Sequence, residues 1–245
     1  MGNPELSGIL LQTSVTTLPC IREDNKLNQW FFETAKRYVT SPVLEIGSGE
    51  GNISGLFVRH GIHLYLSDPE DGHRQALKEK FHEEPNVISV LKLDLWHPEF
   101  ETRYAKMLGQ FSSVFALNIT DHQCLDKRTI ANAKLLLKKR GRMILLLPAN
   151  TALFNGLGQG LQQWIGTNQE VIRKLLSKDF EILKTFFFNI VGISGWWLSG
   201  PELNKKESAA EQISEYEELV PIFRIADPSI FKQFGLSVMV VVRKL

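Results

Sequence analysis

The stretch Val43-Leu44-Glu45-Ile46-Gly47-Ser48-Gly49-Glu50-Gly51-Asn52-Ile53-Ser54 decides the fold that this sequence predicts. Its apolar start, Val43 to Ile46, is typical of a buried strand, and glycines follow at every second position. Glycine adopts positive φ without steric cost and has no Cβ to hinder a ligand. An apolar pattern at helical spacing resumes at Leu56. The strand, turn and helix therefore open a βαβ unit, whose turn can hold a nucleotide-like ligand.

The spacing of the glycines argues against a dinucleotide site. That fingerprint reads GxGxxG, whereas Gly47, Gly49 and Gly51 give GxGxG with Glu45 just ahead. A carboxylate at the end of the strand suits a cationic amino group better than a phosphate. The pattern resembles ExGxGxG, the first motif of the class I S-adenosylmethionine-dependent methyltransferases. A glycine-rich loop that only turns the chain is the structural alternative.

The resemblance implies a fold and a cofactor. The fold is α/β, with an open, seven-stranded, mostly parallel sheet, helices on both faces, and a last antiparallel strand inserted between strands five and six. The cofactor is S-adenosylmethionine, and S-adenosylhomocysteine is its product. We expect one domain over residues 1–245, made of an N-terminal helical cap (1–40), a cofactor-binding half (43–150), a substrate-side half with lid inserts (151–222) and a closing strand (235–245).

Composition narrows the classes of function. The 43% apolar and 22% charged content of the 245 residues is typical of a globular domain. A net charge of +1 gives no electrostatic footprint for nucleic acid. Cys20 and Cys124 form neither a disulfide framework nor a zinc pattern, and we expect no metal. Because no apolar run reaches the ~20 residues that span a bilayer and no secretory signal is seen, we expect a cytoplasmic protein.

Acidic residues follow the second and third predicted strands. Asp68 can accept both ribose hydroxyls of a nucleoside, and an Asx turn before Pro69 is a compatible explanation for the same residue. By the resemblance, Asp94 accepts from the exocyclic amine of adenine and the Leu95 backbone contacts the ring, although an Asp after a strand is also ordinary turn chemistry. The predicted cofactor-binding residues are Glu45, Gly47, Ser48, Gly49, Gly51, Asp68, Pro69, Asp94, Leu95, Asn118 and Ile119.

The segment from Asn118 to His122 follows the fourth predicted strand. Ligands of open parallel sheets bind beyond the carboxyl ends of the strands, so this segment faces the expected reaction centre. Family members often carry an acidic residue and a histidine here, and Asp121 and His122 fit that description. His122 could take a proton from a substrate hydroxyl or amine. The alternative is a helix N-terminus with Asp121 in its first turn and His122 in solvent.

Aromatic residues are the candidates for a substrate pocket. Trp30, on an amphipathic helix over residues 25–38, is either a lid over the cofactor or a core aromatic. Trp196 and Trp197, flanked by glycines, form either an aromatic wall for an apolar acceptor or a contact with a second copy of the chain or a membrane surface. The candidate set is Trp30, Phe154, Trp164, Trp196 and Trp197.

The segment Leu161 to Thr167 departs from the family, whose close members have a histidine and an Arg-Tyr-Thr-rich stretch there. The change favours a different substrate. We therefore predict in-line methyl transfer to an O or N atom of a small, natural-product-type acceptor. The alternatives are a non-catalytic cofactor-binding partner subunit and a methyltransferase for a lipid or quinone-like acceptor. A NAD-dependent oxidoreductase is disfavoured by the glycine spacing and by the lack of a Tyr-x-x-x-Lys pair.

Overall fold

A computed structural model of the protein describes residues 26–117, 127–148, 176, 178–188 and 237–245. Within them, the strands form one sheet in the order β3-β2-β1-β4-β5-β7-β6. The strands are β1 (Val43–Ile46), β2 (Leu64–Ser67), β3 (Val87–Leu91), β4 (Phe111–Ala116), β5 (Leu137–Pro148), β6 (Phe180–Phe188) and β7 (Ser237–Lys244). The helices are α1 (Lys26–Ala35), α2 (Asn52–Arg59), α3 (Asp71–Lys80), α4 (Phe100–Arg103) and α5 (Lys127–Leu136), with single 3₁₀ turns at Lys36–Tyr38 and Ala105–Met107.

The topology confirms the predicted fold class. Strands β1 to β5 pair in parallel, whereas β7 runs antiparallel to both of its neighbours, β5 and β6. The last strand thus lies between strands five and six, as the resemblance implied. Since β2 and β4 flank β1 on opposite sides, the chain reverses its direction of travel across the sheet beside β1. Such a switch point opens a crevice at the carboxyl ends of the strands.

Side chains alternate along each strand, so a strand of apolar residues presents apolar side chains on both faces of the sheet. Helices cover both of these faces. Val43 packs on one face with apolar side chains of α1, α2 and α3, and Leu44 packs on the other with those of α4 and α5. Both side chains are fully buried. By the same alternation, Glu45 points to the face that α2 covers. A carboxylate therefore enters an otherwise apolar layer.

Element boundaries differ from the sequence prediction at two places. The pair Arg140-Gly141, which predicts a turn between a helix and a strand, lies inside β5. Arg140 has φ 61 there, and a Cβ on Gly141 would lie 2.9 Å from the Lys138 carbonyl oxygen. The sequence over residues 86–95 predicts the third strand, but β3 ends already at Leu91, so Asp94 lies in the loop beyond it. Helix α4 was not predicted, because a single helical turn carries too little periodicity to be recognised.

Residues 1–25 of the predicted N-terminal cap (1–40) and most of the predicted substrate-side half (151–222) lie outside the described residues, and the domain divisions stay predictions. In the part of the chain that the structure describes, no helix is both long enough and apolar enough to cross a membrane.

Candidate cofactor site

The turn between β1 and α2 is built on glycines in the left-handed region. Gly47, Gly49 and Gly51 have φ 68, 53 and 76. A side chain in this conformation costs roughly 1–2 kcal/mol per residue. The Gly51 N–H donates to the Ser48 carbonyl at 2.9 Å, which closes the turn directly before α2. The GxGxG spacing therefore encodes a specific backbone path.

Helix α3 packs against the outer end of this turn. A Cβ on Gly51 would lie 2.7 Å from Cε2 of Phe81 and 2.9 Å from Cδ2 of Leu77, so a side chain here would force both neighbours to shift. Lys80 Nζ donates to the carbonyls of Glu50 and Gly51 at 3.2 and 3.1 Å. The third glycine thus serves the packing of α3 on the turn.

Glu45 lies beneath the turn, with 2% of its surface exposed. Its Oε2 accepts a hydrogen bond from Ser54 Oγ on α2 at 2.5 Å. Burial raises the pKa of Glu45 to about 7, although the hydrogen bonds from Ser54 and Ser48 act in the opposite direction. The carboxyl faces α2, and its predicted contact with a ligand amino group stays a prediction.

Asp68, 3% exposed, ties the turn to the loop after β2. Its Oδ2 accepts from the Gly49 N–H at 3.0 Å. Its Oδ1 accepts from the Glu70 N–H at 2.9 Å and lies 3.1 Å from Nδ1 of His73. The bond to Glu70 is the Asx turn that the sequence predicted as the compatible alternative. The ribose contact, like that of neighbouring Pro69, stays a prediction.

Two serines hold the first and second loops together. The Ser48 N–H donates to the Ser67 carbonyl at 2.9 Å, and the Ser67 N–H donates back to Ser48 Oγ at 3.2 Å. Ser67 Oγ donates to the Glu45 carbonyl at 2.6 Å. These bonds fix Ser48, a predicted site residue, at the carboxyl edge of the parallel strands β1 and β2.

Asp94 and Leu95 lie in the loop after β3, at the same edge of the sheet. Asp94 Oδ1 accepts from the Trp96 N–H at 2.8 Å, and the Asp94 N–H donates to the Tyr104 hydroxyl at 3.0 Å. The Leu95 carbonyl accepts from the amide of Asn132 on α5 at 2.7 Å. The loop is therefore held from both sides, and the adenine contacts of its two residues remain predictions.

Trp30 lies in the core. It is 8% exposed and packs edge-on against Phe188, with ring centroids 4.9 Å apart. This is the structural role that the sequence left open beside the lid role, and its part in a substrate pocket stays a prediction. The other candidates lie outside the described residues: Asn118, Ile119, Asp121, His122, Phe154, Trp164, Trp196 and Trp197.

Sequence reasoning missed the polar side chains that hold the predicted residues in place, among them Ser54, Ser67 and His73. None belongs to a motif, because each acts by reaching a predicted residue from another element. A serine on the helix after the turn and a histidine close after Asp68 are ordinary surface residues in sequence terms. Across the described ranges, no group of three His, Cys, Asp or Glu residues is placed to hold a metal ion.

Comparison with known proteins finds similarity in structure but not in sequence. No family model matches the chain, and no curated protein matches it in sequence. Among solved structures, a geranyl diphosphate C-methyltransferase from Streptomyces coelicolor A3(2) is similar over 90% of this chain and 78% of its own, with a TM-score of 0.58 and 10% identity.

Two further structures extend the comparison. An S-adenosylmethionine-dependent methyltransferase from Archaeoglobus fulgidus is similar over 89% of this chain and 94% of its own, with a TM-score of 0.54 and 16% identity. Magnesium protoporphyrin IX methyltransferase from Synechocystis PCC 6803, with S-adenosylhomocysteine bound, is similar over 90% and 80%, with a TM-score of 0.51 and 15% identity. Together with the strand order, these similarities show that the chain has the Rossmann-like fold of the class I S-adenosylmethionine-dependent methyltransferases.

Proposed function

We propose that this protein transfers a methyl group from S-adenosylmethionine to an O or N atom of a small, natural-product-type molecule. The observation that supports this most directly is the pair of buried carboxyl groups, Glu45 and Asp68, around a left-handed glycine turn. The turn lies at the switch point of the sheet, where ligands of such folds bind. Of the similar solved structures, one is named for dependence on this cofactor and another contains its product.

The chemistry of the site residues fits this cofactor better than a dinucleotide. A pyrophosphate would meet two carboxyl groups, that of Glu45 beneath the turn and that of Asp68, which accepts from the Gly49 N–H. The methyl donor instead carries a cationic amino group and ribose hydroxyls. Because desolvation raises the pKa of Glu45 to about 7, a nearby cation would favour its ionised form. We assign the amino-acid end of the cofactor to the side of Glu45 and the turn, its ribose to Asp68, and its adenine to the loop of Asp94 and Leu95.

The cofactor supplies a methyl group that its sulfonium already activates toward nucleophiles. The chain then has to hold an acceptor atom in line with that group and exclude water, which can account for most of the acceleration. We assign proton removal from a hydroxyl acceptor to His122, with Asp121 beside it. An amine acceptor that enters in its neutral form needs no base.

A small-molecule acceptor is supported by two observations. The net charge of +1 gives no attraction for nucleic acid. Two of the similar proteins are named for a prenyl diphosphate and for a porphyrin, and both of these molecules are small. We place the acceptor pocket among Phe154, Trp164, Trp196 and Trp197, since aromatic side chains suit apolar, planar molecules.

Transfer of a radiolabelled methyl group tests this proposal. The purified protein and labelled S-adenosylmethionine are incubated with hydroxylated, amine, carboxylate and quinol acceptors, and labelled product is compared with S-adenosylhomocysteine. We expect equal amounts of both for at least one acceptor. Cofactor binding without transfer to any acceptor class would instead identify a non-catalytic cofactor-binding subunit.

A histidine pair tests the proposed base. We expect H122A to lower kcat on a hydroxyl acceptor by about 10²- to 10⁴-fold, the usual contribution of a general base. His63, which is exposed beside the amino end of β2 and thus at the opposite edge of the sheet, provides the matched control H63A. Equal rates in H122A and the wild type would remove His122 from the mechanism.

A further inference from the structure

We propose that His73 is a positioning residue for the cofactor, which fixes the carboxylate of Asp68 so that its Oδ2 keeps an acceptor site turned toward a ribose hydroxyl. This inference rests on the proposed function and deepens it. His73 belongs to no recognised motif and contacts Asp68 from the first turn of α3.

The Asp68 carboxylate is held by donors from separate segments. Oδ2 accepts from the Gly49 N–H of the glycine turn, and Oδ1 accepts from the Glu70 N–H of its own Asx turn. Nδ1 of His73 lies 3.1 Å from the same Oδ1. A hydrogen bond from His73 to this oxygen uses the tautomer that carries its proton on Nδ1. Donors on both oxygens leave the plane of the carboxylate little freedom to rotate.

His73 is the side-chain donor among the described hydrogen bonds to this carboxylate; the other two donors are backbone groups. The backbone of the Asx turn at Asp68 is held separately, because Nη1 of Arg74 donates to the carbonyls of Asp68 and Pro69 at 2.9 and 2.6 Å. Replacing His73 should therefore disturb the carboxylate while leaving the path of the turn intact.

Exposure also separates a positioning role from a packing role. The His73 side chain is 47% exposed, whereas that of Asp68 is 4% exposed. A half-exposed ring contributes little to the core, so its substitution should cost little stability. A hydrogen bond to an ionised acceptor is roughly twice as strong as a neutral one, so its loss should be visible in ligand affinity.

The experiment measures the affinity of two ligands for three proteins by calorimetry. The ligands are S-adenosylhomocysteine and its analogue that lacks the 2′ and 3′ hydroxyls. The proteins are wild type, H73F, which keeps a ring but has no donor, and H73N, whose amide nitrogen occupies the position of Nδ1. We expect H73F to weaken S-adenosylhomocysteine binding about tenfold and to leave the dideoxy analogue within about twofold. H73N should restore the affinity to within about threefold of the wild type.

Several results would overturn the inference. One is an equal loss of affinity for both ligands in H73F, which would indicate a merely structural role. Unchanged affinity in H73F, or no rescue by H73N, would also do so. If H73F does not fold, as thermal unfolding without ligand would show, H73A replaces it, because alanine has no donor and the same loss is expected. Failure of the wild type to bind S-adenosylhomocysteine would overturn the proposed function, and this inference with it.

Discussion

Ser54 Oγ donates to Glu45 Oε2 at 2.5 Å and joins α2 to β1 beneath the glycine turn. Both residues are buried, and desolvation raises the pKa of Glu45 to about 7 despite this bond. The site thus holds a carboxyl group that is partly protonated near neutral pH. A bound cation would ionise it, so binding and protonation at this position are linked.

Replacing Glu45 by glutamine should stabilise the fold at high pH. The pKa of Glu45 is raised from 4.5 to about 7 in the folded chain, so this chain binds more protons than the unfolded chain between these values. Stability is therefore lost as pH rises through this window, by about 3 kcal/mol in all. We expect E45Q to be more stable than wild type by up to that amount at about pH 8, and the difference to vanish below about pH 4.5.

Urea unfolding at the two pH values measures this effect. Glu101, exposed on α4, provides the control E101Q, which should change stability little at either pH. If E45Q raised the free energy of unfolding equally at both pH values, the Glu45 carboxyl would have the same pKa in the folded and unfolded chain, contrary to this prediction. Because the site loses its charge, the same variant should bind S-adenosylhomocysteine more weakly than wild type.

Removing the Ser54 hydroxyl should raise the pKa of Glu45 further, because the hydrogen bond from Ser54 lowers that pKa. In S54A the ionised carboxylate loses a donor in a buried place, which costs about 1–3 kcal/mol at about pH 8. Carbon-13 NMR of the Glu45 side-chain carboxyl would follow the titration directly. A midpoint that falls in S54A would contradict the assignment of this bond.

Gly51→Ala should be more destabilising than an alanine at another left-handed glycine. Gly109 has φ 66 and open space where a Cβ would lie, whereas Gly51 has φ 76 and would bring its Cβ to 2.7 Å from Phe81. We expect about 1–2 kcal/mol of strain in G109A, and a further 1–3 kcal/mol from steric overlap in G51A. Thermal unfolding of both variants compares them. Equal losses of stability in the two variants would mean that the packing of Leu77 and Phe81 against Gly51 does not restrict the turn.

Asp68→Asn should weaken cofactor binding at least tenfold. The Gly49 and Glu70 N–H groups donate to different oxygens of the carboxylate, whereas the amide of asparagine has a single acceptor oxygen. Asp71, the first residue of α3, provides a matched control, since its side chain is 85% exposed and pairs with Arg74. We expect D71N to bind S-adenosylhomocysteine with wild-type affinity in calorimetry. Similar losses in both variants would point to a general effect of charge.

The sequence predicted the βαβ unit and the position of its turn because both follow from local patterns. Apolar runs such as Val43 to Ile46, and glycines at alternate positions, are set by backbone conformation and burial. Strand order and the antiparallel last strand required the family resemblance, since pairing between distant segments leaves no periodic trace in either strand.

The polar contacts of the site could not be predicted in the same way. Ser54 and His73 act on Glu45 and Asp68 through side chains from other elements, and their distances depend on how α2 and α3 pack. Trp30 shows the opposite difficulty: its helical spacing is equally consistent with a lid and with the core position that it occupies. Tertiary packing, which local pattern does not encode, decides such cases.

Calorimetric titration of the purified protein with S-adenosylhomocysteine, and separately with NAD, tests the central claim most directly. We expect saturable binding of S-adenosylhomocysteine at one site per chain, weakened at least tenfold in D68N, and no binding of NAD. Binding of NAD with no affinity for S-adenosylhomocysteine would contradict the assignment of the glycine turn, and with it the proposed methyl transfer.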